Sequence, residues 1–174
     1  MIRAPFHDYT DRCIYHITMT KAPGVPDFGK LSGPLHDVSI ERTPLGKAIA
    51  ANIAAIPKLN PCLKVLQYMI MPDHLHLLIF VTDKLDKHLG KYIGMFKVKT
   101  GQTYREKYEL EGPVFSEGFY DCILHRKRSL DVLFQYIRSN PRRLAVRRAM
   151  PEYFKMRRGV EICGMRCSVY GNFF

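Results

Sequence analysis

Tryptophan is missing from the chain, and so is any long apolar run. The longest apolar stretches, such as Leu75 to Val81, fall far short of the roughly 20 residues a helix needs to cross a bilayer. A helical membrane protein is thereby excluded, and no membrane association is expected. The first dozen residues carry His7, Asp8, Asp11 and Arg12 but no apolar run, so no secretory leader reads there. Cysteine is sparse and unpaired in pattern. The five residues, at 13, 62, 122, 163 and 167, are odd in number and form no CxxC. No histidine pair sits near Cys163 and Cys167 at zinc-finger spacing, which argues against a structural zinc. Reduced thiols in a cytoplasmic protein are expected.

Acidic residues are the other shortage. Lys plus Arg total 27 against 16 Asp plus Glu, a formal charge of +11. A polyanion partner follows, nucleic acid ahead of a membrane surface; a basic but inert surface is the alternative. The excess lies late in the chain. Arg126, Lys127 and Arg128 cluster, then Arg142, Arg143, Arg147 and Arg148, then Lys155, Arg157 and Arg158. Guanidinium forks suit phosphate oxygens better than ammonium point charges do. What the chain does have is apolar content, at 47% of 174 residues. A chain of this length can bury about two thirds of its unfolded surface, so it is expected to fold around a core.

No internal repeat appears. Residues 13–20, CIYHITMT, alternate and read as a strand. Residues 21–39 hold three glycines and three prolines and read as a long loop, a candidate flap. Thr43-Pro44 reads as an N-cap followed by proline at the first helical position, opening a helix that Pro57 ends. Residues 62–81 read as a hairpin of two central strands around Met71-Pro72-Asp73. Residues 84–105 read as a helix with Leu85, Leu89, Tyr92, Ile93, Phe96 and Thr100 on one face. Residues 114–124 read as a strand bent at Gly118. Ser129 or Asp131 can open a further helix, with a break or kink at Pro141 and a short basic helix after it. Residues 153–174 are mixed, with one or two extra strands expected. The expected fold is α+β: a ferredoxin-like antiparallel sheet (βαββαβ) with an added C-terminal helix that carries Tyr136. That architecture hosts many functions and names none.

His74-Leu75-His76 is the sharpest chemical feature. Residues two apart on a strand share a face, so two imidazoles project side by side while Leu75, Leu77, Ile79 and Val81 face a core. Two imidazoles on a rigid strand form half of a divalent-metal site; the alternative is that they bond only to neighbours in the sheet. Asp73 reads as a turn residue or an orienter of that pair. Tyr136 and Asn140 lie one helical turn apart. Tyr136 falls at the edge of the stripe Leu130, Leu133, Phe134 and Ile137, so alone it also reads as an ordinary boundary tyrosine. Asn140 before Pro141 also reads as a helix C-cap. Lys97 and Lys99 read as a solvated helix face.

MPDHLHLLIF, followed by a helix containing YIRSNPRR, resembles the single-tyrosine HUH transposases, most closely the REP-associated tyrosine transposases. YHITMT is similar to the family's first strand, and GPVFSEGFYDCIL to the segment before its tyrosine helix. The resemblance spans roughly residues 13–148. One departure is that family members often carry a tryptophan where this chain has Val114 to Phe119. The resemblance implies a catalytic domain over residues 1–150, with an extension over 151–174 that has no secure counterpart. The apolar end, Phe173-Phe174, fits a shortened chain or a remnant.

The resemblance implies cutting and rejoining of single-stranded DNA near hairpins, with Tyr136 as nucleophile and a 5′-phosphotyrosine intermediate. It implies Mg²⁺ or Mn²⁺ held by His74, His76 and Asn140, and single-stranded or hairpin DNA gripped by Arg126, Lys127, Arg128, Arg142, Arg143, Arg147 and Arg148. The protein would act as a monomer or homodimer. A hairpin-binding relic without catalysis is the alternative. Two other phosphoesterase patterns fit poorly. His16-Ile17-Thr18 is one His-x-Thr element, but a second would need Thr or Ser at His76. A histidine triad would need a third histidine at Leu78.

Overall fold

The structure is a computed structural model that describes residues 6–108, 112–124 and 127–151, with backbone alone for 127–129. Arg126 and the expected strands of 153–174, with Lys155, Arg157, Arg158, Cys163 and Cys167, lie outside the described residues.

Strand β1 (Cys13–Thr20) is followed by two short strands, β2 (Gly29–Ser32) and β3 (Ser39–Arg42). Helices α1 (Pro44–Ala54) and α2 (Ile56–Leu59) lead into β4 (Leu63–Ile70) and β5 (His74–Val81). Helix α3 (Leu89–Tyr108), strand β6 (Tyr120–Leu124) and helix α4 (Lys127–Ala149) complete the order. The main sheet runs β4-β5-β1-β6, with every neighbouring pair antiparallel. Setting aside the small β2–β3 sheet, this is the strand order of a ferredoxin-like α+β fold.

Alternation along the strands separates two faces. Leu75, Leu77, Ile79 and Val81 of β5 are buried with Tyr15, Ile17 and Met19 of β1. Ile49 and Ile53 of α1 and Leu89, Ile93 and Phe96 of α3 cover them. The opposite face takes α4, whose Leu133 and Ile137 pack on Leu78 and Leu124, with Leu130, Phe134 and Tyr136 partly buried around them. His74 and His76 belong to this second face, under the tyrosine helix.

Several boundaries differ from the sequence reading. Residues 21–39 are not a continuous loop: β2 and β3 pair from Gly29↔Arg42 to Ser32↔Ser39. The preceding residues are anchored by Phe28, which is buried against the Phe115 ring and donates its N–H to Pro72 O at 2.8 Å. Thr43 caps α1 as expected, with its Oγ1 accepting from Gly46 N–H at 3.2 Å. Gly46 is required there, because a Cβ would fall 1.9 Å from the Phe28 carbonyl. Pro57 lies in the first turn of α2 rather than ending α1, which closes at Ala55. β4 is an edge strand with a register shift between Val65 and Gln67, so only β5 of the expected central hairpin lies inside the sheet.

Helix α3 begins at Leu89, five residues later than its stripe suggests, because Leu85 is buried in the preceding loop and donates its N–H to Thr10 O. Between Phe115 and Tyr120 the chain leaves the sheet, turning at Gly118 with φ +72°. Lys97 of α3 holds this excursion by donating to the Ser116 carbonyl at 2.7 Å and also to the Gly118 carbonyl. Helix α4 opens at Lys127 and continues unbroken through Pro141. Proline removes one donor, toward Ile137 O, and the turns before and after continue the helix. Among the described residues, no helix is long and apolar enough to cross a membrane.

Candidate catalytic centre

Two strands and one helix build the site. On β5, His74 and His76 sit opposite Thr20 and Thr18 of β1. The alternation that sends the intervening leucine into the core turns both rings toward α4. Their Nε2 atoms converge to 3.0 Å. Each ring is held at its other nitrogen. His74 Nδ1 lies 2.6 Å from Asp73 Oδ1, and His76 Nδ1 lies 3.1 Å from His16 Nε2 and 3.2 Å from Thr18 Oγ1. Asp73 therefore orients His74, and it also serves the turn, where its carbonyl accepts from Lys21 N–H at 2.9 Å. The hydrogen bond from His74 holds the Asp73 carboxyl below its usual range, against the opposing effect of burial.

Electrostatics favour uncharged rings at two of the three histidines. Burial lowers the His16 imidazole to about 4, and nearby His74 adds to the effect. Burial also pushes His76 well below the ordinary histidine range, with His16 and His74 contributing. A neutral imidazole carries one N–H and one lone pair, so it can offer a ligand nitrogen when its proton sits on the other.

Helix α4 brings Tyr136 to this cluster. Its ring centroid lies 5.8 Å from that of His76 and 6.3 Å from that of His16, both edge-on. The phenol sits at the margin of the α4 core stripe, half-buried, as its helical angle requires. Gln67 Nε2 donates to the Phe134 carbonyl at 3.3 Å, tying the helix to β4. The Arg143 guanidinium lies 5.1 Å from the Tyr136 ring centroid, in cation–π contact. One turn beyond Tyr136, Asn140 is buried and its Nδ2 has no hydrogen-bond partner.

The two imidazoles are spaced as a divalent cation would need. Two Nε2 atoms 3.0 Å apart match adjacent ligands around an ion with bonds of about 2.1 Å. The amide of Asn140, turned about its Cβ–Cγ axis, would present oxygen where the unpartnered nitrogen now lies. Among the described residues, no group of three or more His, Cys, Asp or Glu side chains is arranged to hold a metal; this set is two imidazoles and an amide.

Of the residues singled out from sequence, His74, His76 and Tyr136 come together, and Asn140 follows Tyr136 by one turn. Arg143 lies on the tyrosine itself, while Arg142, Arg147 and Arg148 are exposed along α4. Lys127 and Arg128 are placed on the α4 backbone only. Lys97 is occupied by loop carbonyls, and burial lowers its ammonium pKa. His16 is the residue that sequence reasoning did not include in the site. Its signal was the shared face of His16 and Thr18 on β1. A cavity of about 460 Å³, lined by Thr18, Thr20, Glu117 and Tyr120 among others, adjoins the histidines through Thr18.

The architecture is thus a ferredoxin-like sheet with paired histidines on an inner strand, faced by a tyrosine from a following helix. Residues 47–140, just over half of the chain, match the family model described as Transposase IS200 like. The chain belongs to the IS200-like transposase family. It is similar in fold to a REP-associated tyrosine transposase bound to a REP hairpin, with a TM-score of 0.59 and 13% identity, covering 81% of this chain and 73% of that one. A candidate transposase from Deinococcus radiodurans is more distant, with a TM-score of 0.49 and 13% identity over 80% of this chain and 97% of that one. No protein of curated function matches the chain in sequence.

Proposed function

We infer that this transposase cuts and rejoins single-stranded DNA through a covalent link to Tyr136. The observation that carries the reading is the approach of the Tyr136 ring to within 5.8 Å of His76, whose Nε2 converges with that of His74. Residues 1–150 would form the catalytic domain and 151–174 an extension. The REP hairpin bound by the structural neighbour supports DNA hairpins with single-stranded flanks as substrate.

The Tyr136 hydroxyl attacks the phosphorus of a phosphodiester. A Tyr–O–P bond forms and the P–O3′ bond breaks. The phenolic proton is balanced by the one gained at the released 3′-hydroxyl. The 5′-phosphate remains on the enzyme as an ester, so the reverse attack by a 3′-hydroxyl rejoins a strand without ATP. A free phenol titrates near 10, so it is a weak nucleophile at neutral pH and needs alignment as well as charge compensation. His74, His76 and Asn140 would hold Mg²⁺ or Mn²⁺, which when bound would offset negative charge on the phosphate oxygens. Arg143 places a fixed positive charge beside the phenol. Arg142, Arg147 and Arg148 continue along the helix toward flanking phosphates, with Lys127 and Arg128 in its first turn and Arg126 before it in sequence.

The test uses labelled hairpin oligonucleotides with single-stranded flanks, in Mn²⁺ or Mg²⁺, on a denaturing gel. A protein–DNA band that persists under denaturation is expected, and Tyr136→Phe should remove it while leaving hairpin binding intact. Binding across a wide oligonucleotide panel with no such band would favour the hairpin-binding relic instead.

A further inference from the structure

The reaction above makes no use of the cavity beside the histidines, and the walls of that cavity have a definite chemistry. Strand register sets one side of it: β5, β1 and β6 carry His76, Thr18 and Tyr120 in one cross-strand row. Residues directly opposite each other share a face of the sheet, so Tyr120 stands on the catalytic side, two strands and roughly 10 Å from His76. Asp121 turns the other way, where its Oδ2 accepts from the Tyr9 hydroxyl at 2.7 Å. Tyr120 is 47% exposed. Glu117 lines the same cavity and is exposed, and among the described residues no hydrogen bond or ion pair holds its carboxylate. The loop that carries Glu117 is fixed in place. Ser116 donates its N–H to Thr20 O at 3.0 Å and its Oγ–H to Lys21 O at 2.8 Å, while Lys97 grips the Ser116 and Gly118 carbonyls. The cavity is therefore preformed, and its volume of about 460 Å³ suits one unpaired nucleotide rather than a duplex.

Among the described residues no lysine or arginine lines the cavity, and a carboxylate there repels a phosphate, so the DNA backbone is a poor occupant. An ionised carboxylate only accepts hydrogen bonds. Its match is a base edge that carries N–H donors. Guanine, with N1–H and the N2 amine side by side, is the base that offers a donor to each carboxylate oxygen. We propose that the cavity is a base-recognition subsite, in which an unpaired guanine next to the scissile phosphate stacks on Tyr120 and donates N1–H and N2–H to Glu117. Stacking on the phenol ring is tolerant of sequence, because every base has a π-face. Glu117 makes the choice: an acid on a face that meets a polyanion opposes binding unless base donors satisfy it, and that penalty falls on the other bases. The subsite's place beside the cut rests on reading Tyr136 and the paired histidines as the cutting centre; the base preference does not.

The test uses the Tyr136→Phe protein in EDTA, so that no strand is cut, and hairpin oligonucleotides whose single-stranded flanks carry G, inosine, A, C or T at one position at a time. Fluorescence anisotropy reads the affinity. One flank position should prefer guanine by about 5- to 30-fold, and inosine, which lacks the N2 amine, should lose most of that preference. Glu117→Gln should level the preference at that position and leave binding of a hairpin without flanks unchanged. Tyr120→Ala should weaken every base there alike, by about 5-fold or more, with Tyr120→Phe close to the parent. Absence of any discriminating position, or a preference that survives both Glu117→Gln and Tyr120→Ala, overturns the proposal. So does a preferred position far from the cut made by the parent protein. A Glu117-dependent preference for cytosine or adenine would overturn the assignment of guanine. A parent protein that forms no adduct yet keeps a Glu117-dependent guanine preference would remove the nuclease reading and leave the subsite standing.

Discussion

His76 is buried yet polar, and its surroundings favour the neutral ring. This gives the metal-free protein a definite pH response. His16 and His76 both titrate below the ordinary histidine value of about 6.5, so the unfolded chain takes up protons before the folded one does as pH falls. Stability therefore rises with pH between about 4 and 6.5 and is lost on acidification through that window. Urea unfolding in EDTA should show the rise, and His16→Gln should flatten it. Asn140 gives a second residue-scale prediction. Its Nδ2 is buried without a partner, so the amide adds little to folding. Asn140→Leu should unfold within about 1 kcal/mol of the parent protein while losing Mn²⁺ binding. A loss of several kcal/mol in urea would point to a structural role instead. The pairing of His74 with His76 was legible because strand alternation is written in the residues. The place of His16 was not, since it depends on the register that sets Thr18 against His76.

At the scale of elements, strands with strong alternation were readable to the residue, as Cys13–Thr20 was. Elements decided by tertiary contact were not. Four-residue β2 and β3 are too short to show a strong local signal, and mutual pairing with packing around Phe28 makes them. Pro141 argues locally for a break, yet α4 runs through it to Ala149, with Leu133 and Ile137 packed on the sheet in the turns before it. Lys97 looked like a solvated residue because the loop that receives it lies 19 and 21 positions away. Lys97→Met should leave the Ser116 and Gly118 carbonyls short of a donor and cost about 1–3 kcal/mol in urea unfolding. Because the lysine is occupied, the salt dependence of DNA binding should not change with it. A lower salt slope with unaltered stability would make Lys97 a phosphate contact.

For the whole molecule, the charge of +11 is the property the sequence showed at once, and the fold puts part of it on α4 beside the tyrosine. Binding driven by phosphate contacts weakens steeply as salt rises, because condensed counterions are released. Replacing exposed Arg142, Arg147 and Arg148 together by alanine should reduce the log–log salt slope for hairpin binding by about 2–3 and weaken binding across sequences alike. An unchanged slope would place the DNA elsewhere on the surface. The two-faced sheet explains how these parts cooperate. One face is given to α1 and α3 and carries the core. The other brings imidazoles, phenol and arginines to a single side.

The most direct test is to let the protein react with a hairpin oligonucleotide in Mn²⁺, digest it, and locate the nucleotide-bearing residue by tandem mass spectrometry. The account predicts a 5′-phosphonucleotide on the peptide containing Tyr136, attached to that phenol. An adduct on another side chain, or strand cleavage with no adduct at all, would contradict it.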